Sequence, residues 1–221
     1  MLSININLKN RTVVKVRDVF YDKEVTLYPL WKCLFSLDFV IGKLGWLPTD
    51  YEINILDWNS TDYPIEKTRQ RFSNLNIHIY KKEGIFNRGE GKNLLGNISN
   101  GDILLFLDAD MLVGGNLLRE GLSRIGELDV LFLTCHYFLN PTHTMLGDII
   151  QTAVGNLFIR KNVFSKLRGF REYREWGKDD TEFFCRVRNI PYLKWEVDYI
   201  PELYHQWHPT EKKFKDREIK G

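Results

Sequence analysis

Two aspartates one residue apart, Asp108 and Asp110, follow directly on the apolar run Ile103-Leu104-Leu105-Phe106-Leu107. Such a run reads as a fully buried strand, so both acids leave its carboxyl edge, where open α/β sheets bind ligands. Carboxylates placed there offer hard oxygen ligands to Mg²⁺ or Mn²⁺ and leave coordination positions for a diphosphate. A metal in that place would neutralise a phosphate leaving group. An isolated D-x-D also describes a plain turn whose side chains bond to backbone amides.

Three further constellations carry chemistry. In the first, Trp176-Gly177-Lys178 leads into Asp179-Asp180-Thr181-Glu182. Asp179 and Glu182 have the spacing of a capping box, which assigns Asp179 to starting a helix. Asp180 stands three, four and seven residues before Phe183, Phe184 and Val187, at the top of the helix's apolar face. A carboxylate there is either a costly buried charge or part of a cleft. In a cleft it becomes a candidate general base for an acceptor hydroxyl. Trp176 would then be a flat wall for a sugar face, or else an ordinary core tryptophan.

The second constellation is Tyr204-His205-Gln206-Trp207-His208-Pro209. The two histidines are too close for a helical i, i+4 pair, and Pro209 indicates an extended or turning segment in which one imidazole points inward. Either could complete a metal site begun by Asp110, and His205 is the expected one, being nearer the run that precedes it. Both could equally be surface or hydrogen-bonded histidines. The third set is Asn10-Arg11 with Phe86-Asn87-Arg88 and Lys92-Asn93 around Gly89 and Gly91. Arginine forks and a helix start suit phosphate oxygens, although the set also reads as a solvated charge cluster. Its glycines do not follow the G-x-G-x-x-G dinucleotide pattern.

The elements that must position these groups alternate short β-rich runs with amphipathic stretches, the pattern of an α/β domain on a mainly parallel sheet. Strands are predicted at 2–7, 52–57, 76–80, 103–107, 130–134 and 153–159, and helices at 26–37 and 179–188. Leu94, Leu95 and Ile98 predict the apolar face of another helix that stops near Asn100-Gly101. The charged stretch 212–220 reads as a solvated end.

Composition narrows the function further. With 221 residues, 43% hydrophobic and 14% aromatic, the chain can build one sizeable core. Lys plus Arg total 31 and Asp plus Glu 29, a net charge of +2 that excludes the whole-molecule field of a general nucleic-acid binder. No run of about twenty apolar residues occurs and the start lacks a secretory pattern, so a soluble cytosolic protein with no transmembrane segment is expected. Cys33, Cys135 and Cys185 are odd in number and lack C-x-x-C spacing, which predicts three small core residues rather than disulfides or a zinc site.

Taken in order, the blocks at 4–11, Asp57-Trp58-Asn59-Ser60-Thr61-Asp62, Phe86-Asn87-Arg88 with Asn93, Leu107-Asp108-Ala109-Asp110 and Trp176-Gly177-Lys178-Asp179-Asp180 resemble one family. It is the GT-A glycosyltransferases, in the group joining family 2 enzymes, chondroitin-polymerase-like transferases and the beta-galactosyltransferases. The resemblance covers most of the chain and implies a single GT-A domain over 1–221. Residues 1–110 would form its nucleotide-sugar half, 111–210 its acceptor half and 211–221 a charged tail.

The same resemblance implies a set of roles. Asn10, Arg11 and Asp57 would contact the nucleotide, with Asp57 near the base. Arg88 would contact the donor diphosphate or nucleotide, and Lys92 and Asn93 would belong to the same donor-binding set. Asp108 would lie toward ribose and metal, and Asp110 would ligate the metal with His205 or His208. Trp176, Gly177 and Asp179 would face the acceptor, with Asp180 as base and Asp179 beside it.

The implied reaction is metal-dependent transfer from a nucleotide sugar, UDP-linked, to a carbohydrate or glycoconjugate hydroxyl, with inversion. A related group of GalNAc transferases shares the arrangement and retains configuration. The chain departs from the family in having Lys178 for glycine and Asp179 for glutamate. A sugar-nucleotide-forming nucleotidyltransferase would place a glycine-rich phosphate loop near the first strand, where Asn10-Arg11 stands. A non-catalytic carbohydrate-binding derivative would have no need of both the D-x-D and the candidate base.

Overall fold

The computed structural model describes residues 1–18, 23–148, 151–173, 177–198 and 202–208. The first half runs β1 (Leu2–Leu8), β2 (Val14–Asp18), β3 (Lys23–Leu27), α1 (Pro29–Leu44), β4 (Tyr51–Asp57), α2 (Glu66–Arg71), β5 (Ile77–Lys81), α3 (Arg88–Ile98) and β6 (Ile103–Phe106). Then come β7 (Met111–Val113), α4 (Leu117–Ile125), β8 (Val130–Tyr137), β9 (Gln151–Arg160), α5 (Lys161–Lys166), α6 (Lys178–Arg188), β10 (Trp195–Val197) and β11 (Leu203–His205).

Among the described residues the main sheet has the order β5-β4-β1-β6-β9-β8-β11-β7, with β10 also on β8. β1 lies parallel to β4 and β6, and β4 to β5, while β9 runs antiparallel between β6 and β8. The expected α/β architecture on a mainly parallel sheet flanked by helices is what forms. From β1 the chain winds outward to β4 and β5 and then crosses by α3 to β6 on the other side. That reversal opens a crevice at the carboxyl ends of β1 and β6.

Period-two alternation decides which layer each side chain joins. Leu2, Ile4, Ile6 and Leu8 of β1, with Leu105, Leu107, Leu131 and Leu133, pack against Leu30, Cys33, Leu34 and Leu37 of α1 and Leu118 of α4. On the opposite face Leu104, Phe106, Val130 and Phe132 meet Phe164, Phe170 and Phe183. The other face of β1 is polar. Ser3 and Asn5 there join a buried hydrogen-bonded network with Glu52, Asn54, Ser99 and Asn100. Burial would push the Glu52 carboxyl up, but donors from Ser3, Asn100 and Asn54 outweigh it and hold it at about 2.

Three expectations need correction. The helix expected at 26–37 starts at Pro29, because Val25 and Leu27 instead pair with Val14 and Val16 in the β2–β3 hairpin. Pro29 opens α1 naturally, since its missing N–H would have no helical partner there. On α3, Leu95 is buried but Leu94 and Ile98 are 37% and 39% exposed. The face turned to the sheet consists of Gly89, Gly91, Lys92, Leu95 and Gly96. Of the three cysteines, Cys33 and Cys135 are core residues and Cys185 is exposed. No described helix is long and apolar enough to cross a membrane.

The glycine face of α3 generates a test. A Cβ at Gly96 would collide with the Phe164 ring, which is itself wedged against Phe106, Phe170 and Phe183. Gly96→Ala should therefore destabilise by about 1–3 kcal/mol of overpacking, less the roughly 1 kcal/mol that alanine gains in a helix. Leu94→Ala should cost about 0.5 kcal/mol or less. Urea unfolding of the two variants checks the ranking, and a larger loss at Leu94 would refute this packing.

Candidate functional site

The site is assembled at the carboxyl ends of β1 and β6 from segments far apart in the chain. β11 pairs antiparallel with β7, with His205 opposite Met111, so His205 is carried to the residue beside Asp110. The Gln206 N–H donates to the Asp110 carbonyl at 2.8 Å, and its side chain, turned inward, donates to the Pro29 carbonyl at 2.9 Å. Trp207 packs on the β2–β3 hairpin at Val14, Val16 and Leu27. These anchors fix the segment up to His205 and between the two histidines.

His205 Nε2 lies 3.8 Å from Asp110 Oδ1 and His208 Nε2 lies 3.5 Å from Asp110 Oδ2. One ligand atom from each of Asp110, His205 and His208 falls within 4.8 Å of the others, a group able to hold a metal ion. The expectation that one imidazole alone would point inward is corrected. β11 ends at His205, so strand alternation no longer governs residues 206–208, and the chain turns His208 back beside its neighbour. Tyr137 stacks on the His205 ring with centroids 4.5 Å apart. Arg11 Nε stands 3.9 Å from Asp110 Oδ2. Burial would raise the Asp110 pKa, but His205, His208 and Arg11 outweigh it and hold the carboxyl below its ordinary value.

A second group lies where α3 and α6 meet β9. Arg88 pairs with Asp180 Oδ2, and Lys92 Nζ reaches Asp180 Oδ1 at 2.6 Å and the Gly155 carbonyl at 2.9 Å. Arg88 Nη2 is also 3.8 Å from Asp108 Oδ1, which puts that side of Asp180 toward the D-x-D. Burial would lower the Arg88 pKa, but Asp180, Asp108, Asp179 and Asp110 together raise it. The close approach requires Gly155, because a Cβ there would lie 2.7 Å from Asp180 Oδ2 and 2.9 Å from Arg88 Nη2.

Asp179 does not cap α6. Gly177 is the N-cap, at φ 74°, a left-handed conformation that favours glycine. With the N-cap two residues earlier than the capping-box spacing implies, Asp179 falls in the first turn, where it is 3% exposed and its Oδ2 has no hydrogen-bond partner. Burial first, and Asp180 second, push its pKa up, against Arg88 and Lys92.

The donor-side residues divide. Asn10, at φ 53°, accepts from the Thr61 N–H and donates its own N–H to Ser60, which ties the loop after β1 to the loop after β4. Asp57 is buried at the end of β4 and accepts from the Ser60 N–H; burial raises its pKa. Asn93 is drawn away from the expected donor set, because its amide spends both ends on the Phe170 backbone at 2.8 and 2.9 Å. Lys92 is likewise enclosed, 3% exposed, and serves Asp180 rather than an open surface. Trp176 and the tail 211–221 lie outside the described residues. Sequence reasoning missed Gly155, Asn156 and Tyr137, which sit in strands and carry no spacing signal of their own, and gave no role to Gln206 between the two histidines.

No protein-family model and no curated protein matches this sequence. Among solved structures, S. aureus TarS 1-349 superposes with a TM-score of 0.66 over 97% of this chain and 62% of that one, at 15% identity. Its complex with UDP-GlcNAc gives 0.68 over 95% and 59%, also at 15% identity. A complex with UDP gives 0.66 over 97% and 62%. The fold is that of a glycosyltransferase. The chain spans about three fifths of the TarS 1-349 structures it matches. Within this fold Asp108 and Asp110 follow β6, and the Arg88–Asp180–Lys92 cluster closes one side of the crevice.

The acid with one unpartnered oxygen gives a stability prediction. A carboxyl whose native pKa is raised opposes folding as soon as it ionises. The penalty is absent below the ordinary value of 3.8, grows as pH climbs through the raised native value and is constant above it. Asp179→Asn removes the charge while keeping the shape, so its melting temperature should exceed the parent's at pH 7 and the gap should close toward pH 3. A variant less stable than the parent at pH 7 would count against a strained buried charge.

Proposed function

We propose that the chain moves a sugar from a UDP-linked donor to a hydroxyl of a carbohydrate or glycoconjugate acceptor, with inversion and with a divalent metal, Mn²⁺ or Mg²⁺. The reading rests on one observation above all. In a glycosyltransferase fold, Asp110, His205 and His208 converge within 4.8 Å beside Asp108 and Arg88. A carboxylate with two imidazoles is a donor set that suits Mn²⁺, and Mg²⁺ less well. When bound, such an ion would supply Lewis-acid stabilisation of the leaving diphosphate. The choice of UDP is supported by the TarS complexes with UDP and UDP-GlcNAc.

The chain's own residues account for the rest. Arg88 offers its guanidinium fork to phosphate oxygens, and Arg11 adds a second guanidinium 3.9 Å from Asp110 Oδ2. Asp180 takes the proton of the acceptor hydroxyl as the hydroxyl oxygen bonds to the anomeric carbon and the bond to the diphosphate breaks. A single displacement of this kind inverts the centre. With both Asp180 oxygens held by Arg88 and Lys92, Oδ2 becomes available when a diphosphate draws Arg88 off. Asp179, deeper and with one oxygen unpartnered, keeps a second acid beside the base.

Binding of UDP, followed by calorimetry, should be strong with Mn²⁺ and lost with chelator. Asp110→Ala should abolish Mn²⁺ binding together with turnover, and His205→Ala and His208→Ala should each raise the Mn²⁺ concentration needed. Equal UDP affinity with and without metal in the parent would exclude this reading.

The Arg88 pairing predicts a compulsory order, donor before acceptor, in initial-rate and product-inhibition kinetics. Asp180→Asn should lower transfer by about 10²–10⁴ while UDP still binds. It should also lose about 3–5 kcal/mol of stability, since Arg88 and Lys92, both buried, lose the carboxylate they share. Random-order kinetics would remove Arg88 from the gating role.

A further inference from the structure

β9 contributes a residue that stands in none of the motifs. Asn156 is 1% exposed, and Asp108 uses its amide at both ends. The Asp108 backbone N–H donates to Asn156 Oδ1 at 2.7 Å, and Asn156 Nδ2 donates to Asp108 Oδ2 at 3.0 Å. Because the amide oxygen must face an N–H, the amide can be oriented one way alone, and its NH₂ has to meet the carboxylate. Asp108 is thereby held at its backbone and at one carboxylate oxygen. The other oxygen, Oδ1, is the one 3.8 Å from Arg88 Nη2.

Asp110, two residues on, is held differently. Its oxygens face Arg11, His205 and His208, and it belongs with the two imidazoles to a group of ligand atoms that does not include Asp108. Two like acids that leave one strand end are thus turned to different tasks, and Asn156 is the side chain that does the turning. We propose that Asn156 is a positioning residue for donor binding. It keeps Asp108 out of the metal's ligand set and aims its free oxygen, beside Arg88, at a hydroxyl of the nucleotide-sugar donor. This rests on the function proposed above. Residues that orient a binding group from behind commonly carry ten- to a hundredfold of its affinity.

The test compares three proteins by UDP calorimetry at saturating Mn²⁺, Mn²⁺ affinity without nucleotide, and melting temperature. Asn156→Asp keeps an oxygen for the Asp108 N–H but cannot donate and repels the Asp108 carboxylate. Its UDP affinity should fall about ten- to a hundredfold while Mn²⁺ affinity stays parental. The double variant Asp108→Asn/Asn156→Asp re-forms the side-chain bond with donor and acceptor exchanged, so melting temperature should recover and UDP affinity should not. Parental UDP affinity in folded Asn156→Asp overturns the assignment, as does a fall of Mn²⁺ and UDP affinity together. Failure of both variants to fold also overturns it, because Asn156 would then serve the fold. A parent that binds no UDP overturns the proposed function itself, and the role of Asn156 falls with it.

Discussion

Four carboxylates, those of Asp108, Asp110, Asp179 and Asp180, act on one guanidinium, and all four raise the pKa of Arg88. Like charges gathered at a sheet edge repel one another more strongly as water is excluded, so a crevice of this kind folds only if cations are interleaved among the acids. Arg88 and Lys92 bracket Asp180, and Arg11 with two imidazoles brackets Asp110. Much of the surrounding architecture exists to let those cations approach. Gly155 removes the Cβ that would block the Arg88–Asp180 pair, and the glycine face of α3 lets that helix sit low enough for Lys92 to reach the Gly155 carbonyl.

The same balance explains why the acids are not equivalent. Asp110 is held below its ordinary pKa by the two imidazoles and Arg11, whereas Asp179, with no partner for one oxygen and Asp180 beside it, is pushed above. A buried charge is costly unless paired, and pairing here is selective. The outcome is a graded set: one acid facing imidazoles, one locked between cations, one clamped by an amide and one strained. Sites that bind and transfer charged groups need such differences among chemically identical side chains.

The C-terminal segment is the second dependency. Its backbone is pinned to Asp110 through Gln206 and its Trp207, partly buried, packs on the β2–β3 hairpin. Formation of the histidine end of the site is therefore coupled to docking of a hairpin that lies almost two hundred residues earlier in the chain. A change in Val14, Val16 or Leu27 would reach His208 without touching it.

Much of the fold was legible in the sequence because its signals are local. The apolar run before Asp108, the alternation in 2–8 and the amphipathic spacing after Asp180 fix strand, layer and helix face through their own periodicity. The D-x-D, the basic residues near 88 and the two histidines were likewise visible as residue types at telling distances. What the sequence could not determine are the contacts made across distance. It read Asp179 as a cap, because capping-box spacing is local, whereas Gly177 took that place with a backbone angle that spacing does not encode. It allowed one inward histidine, because it could not see β11 end at His205 against β7. It placed Asn93 among donor contacts, but Phe170 claims both ends of that amide. It passed over Asn156, an unremarked amide in an apolar strand, since a side chain's partner is decided by which strand lies next to it, and that is settled by the tertiary structure alone.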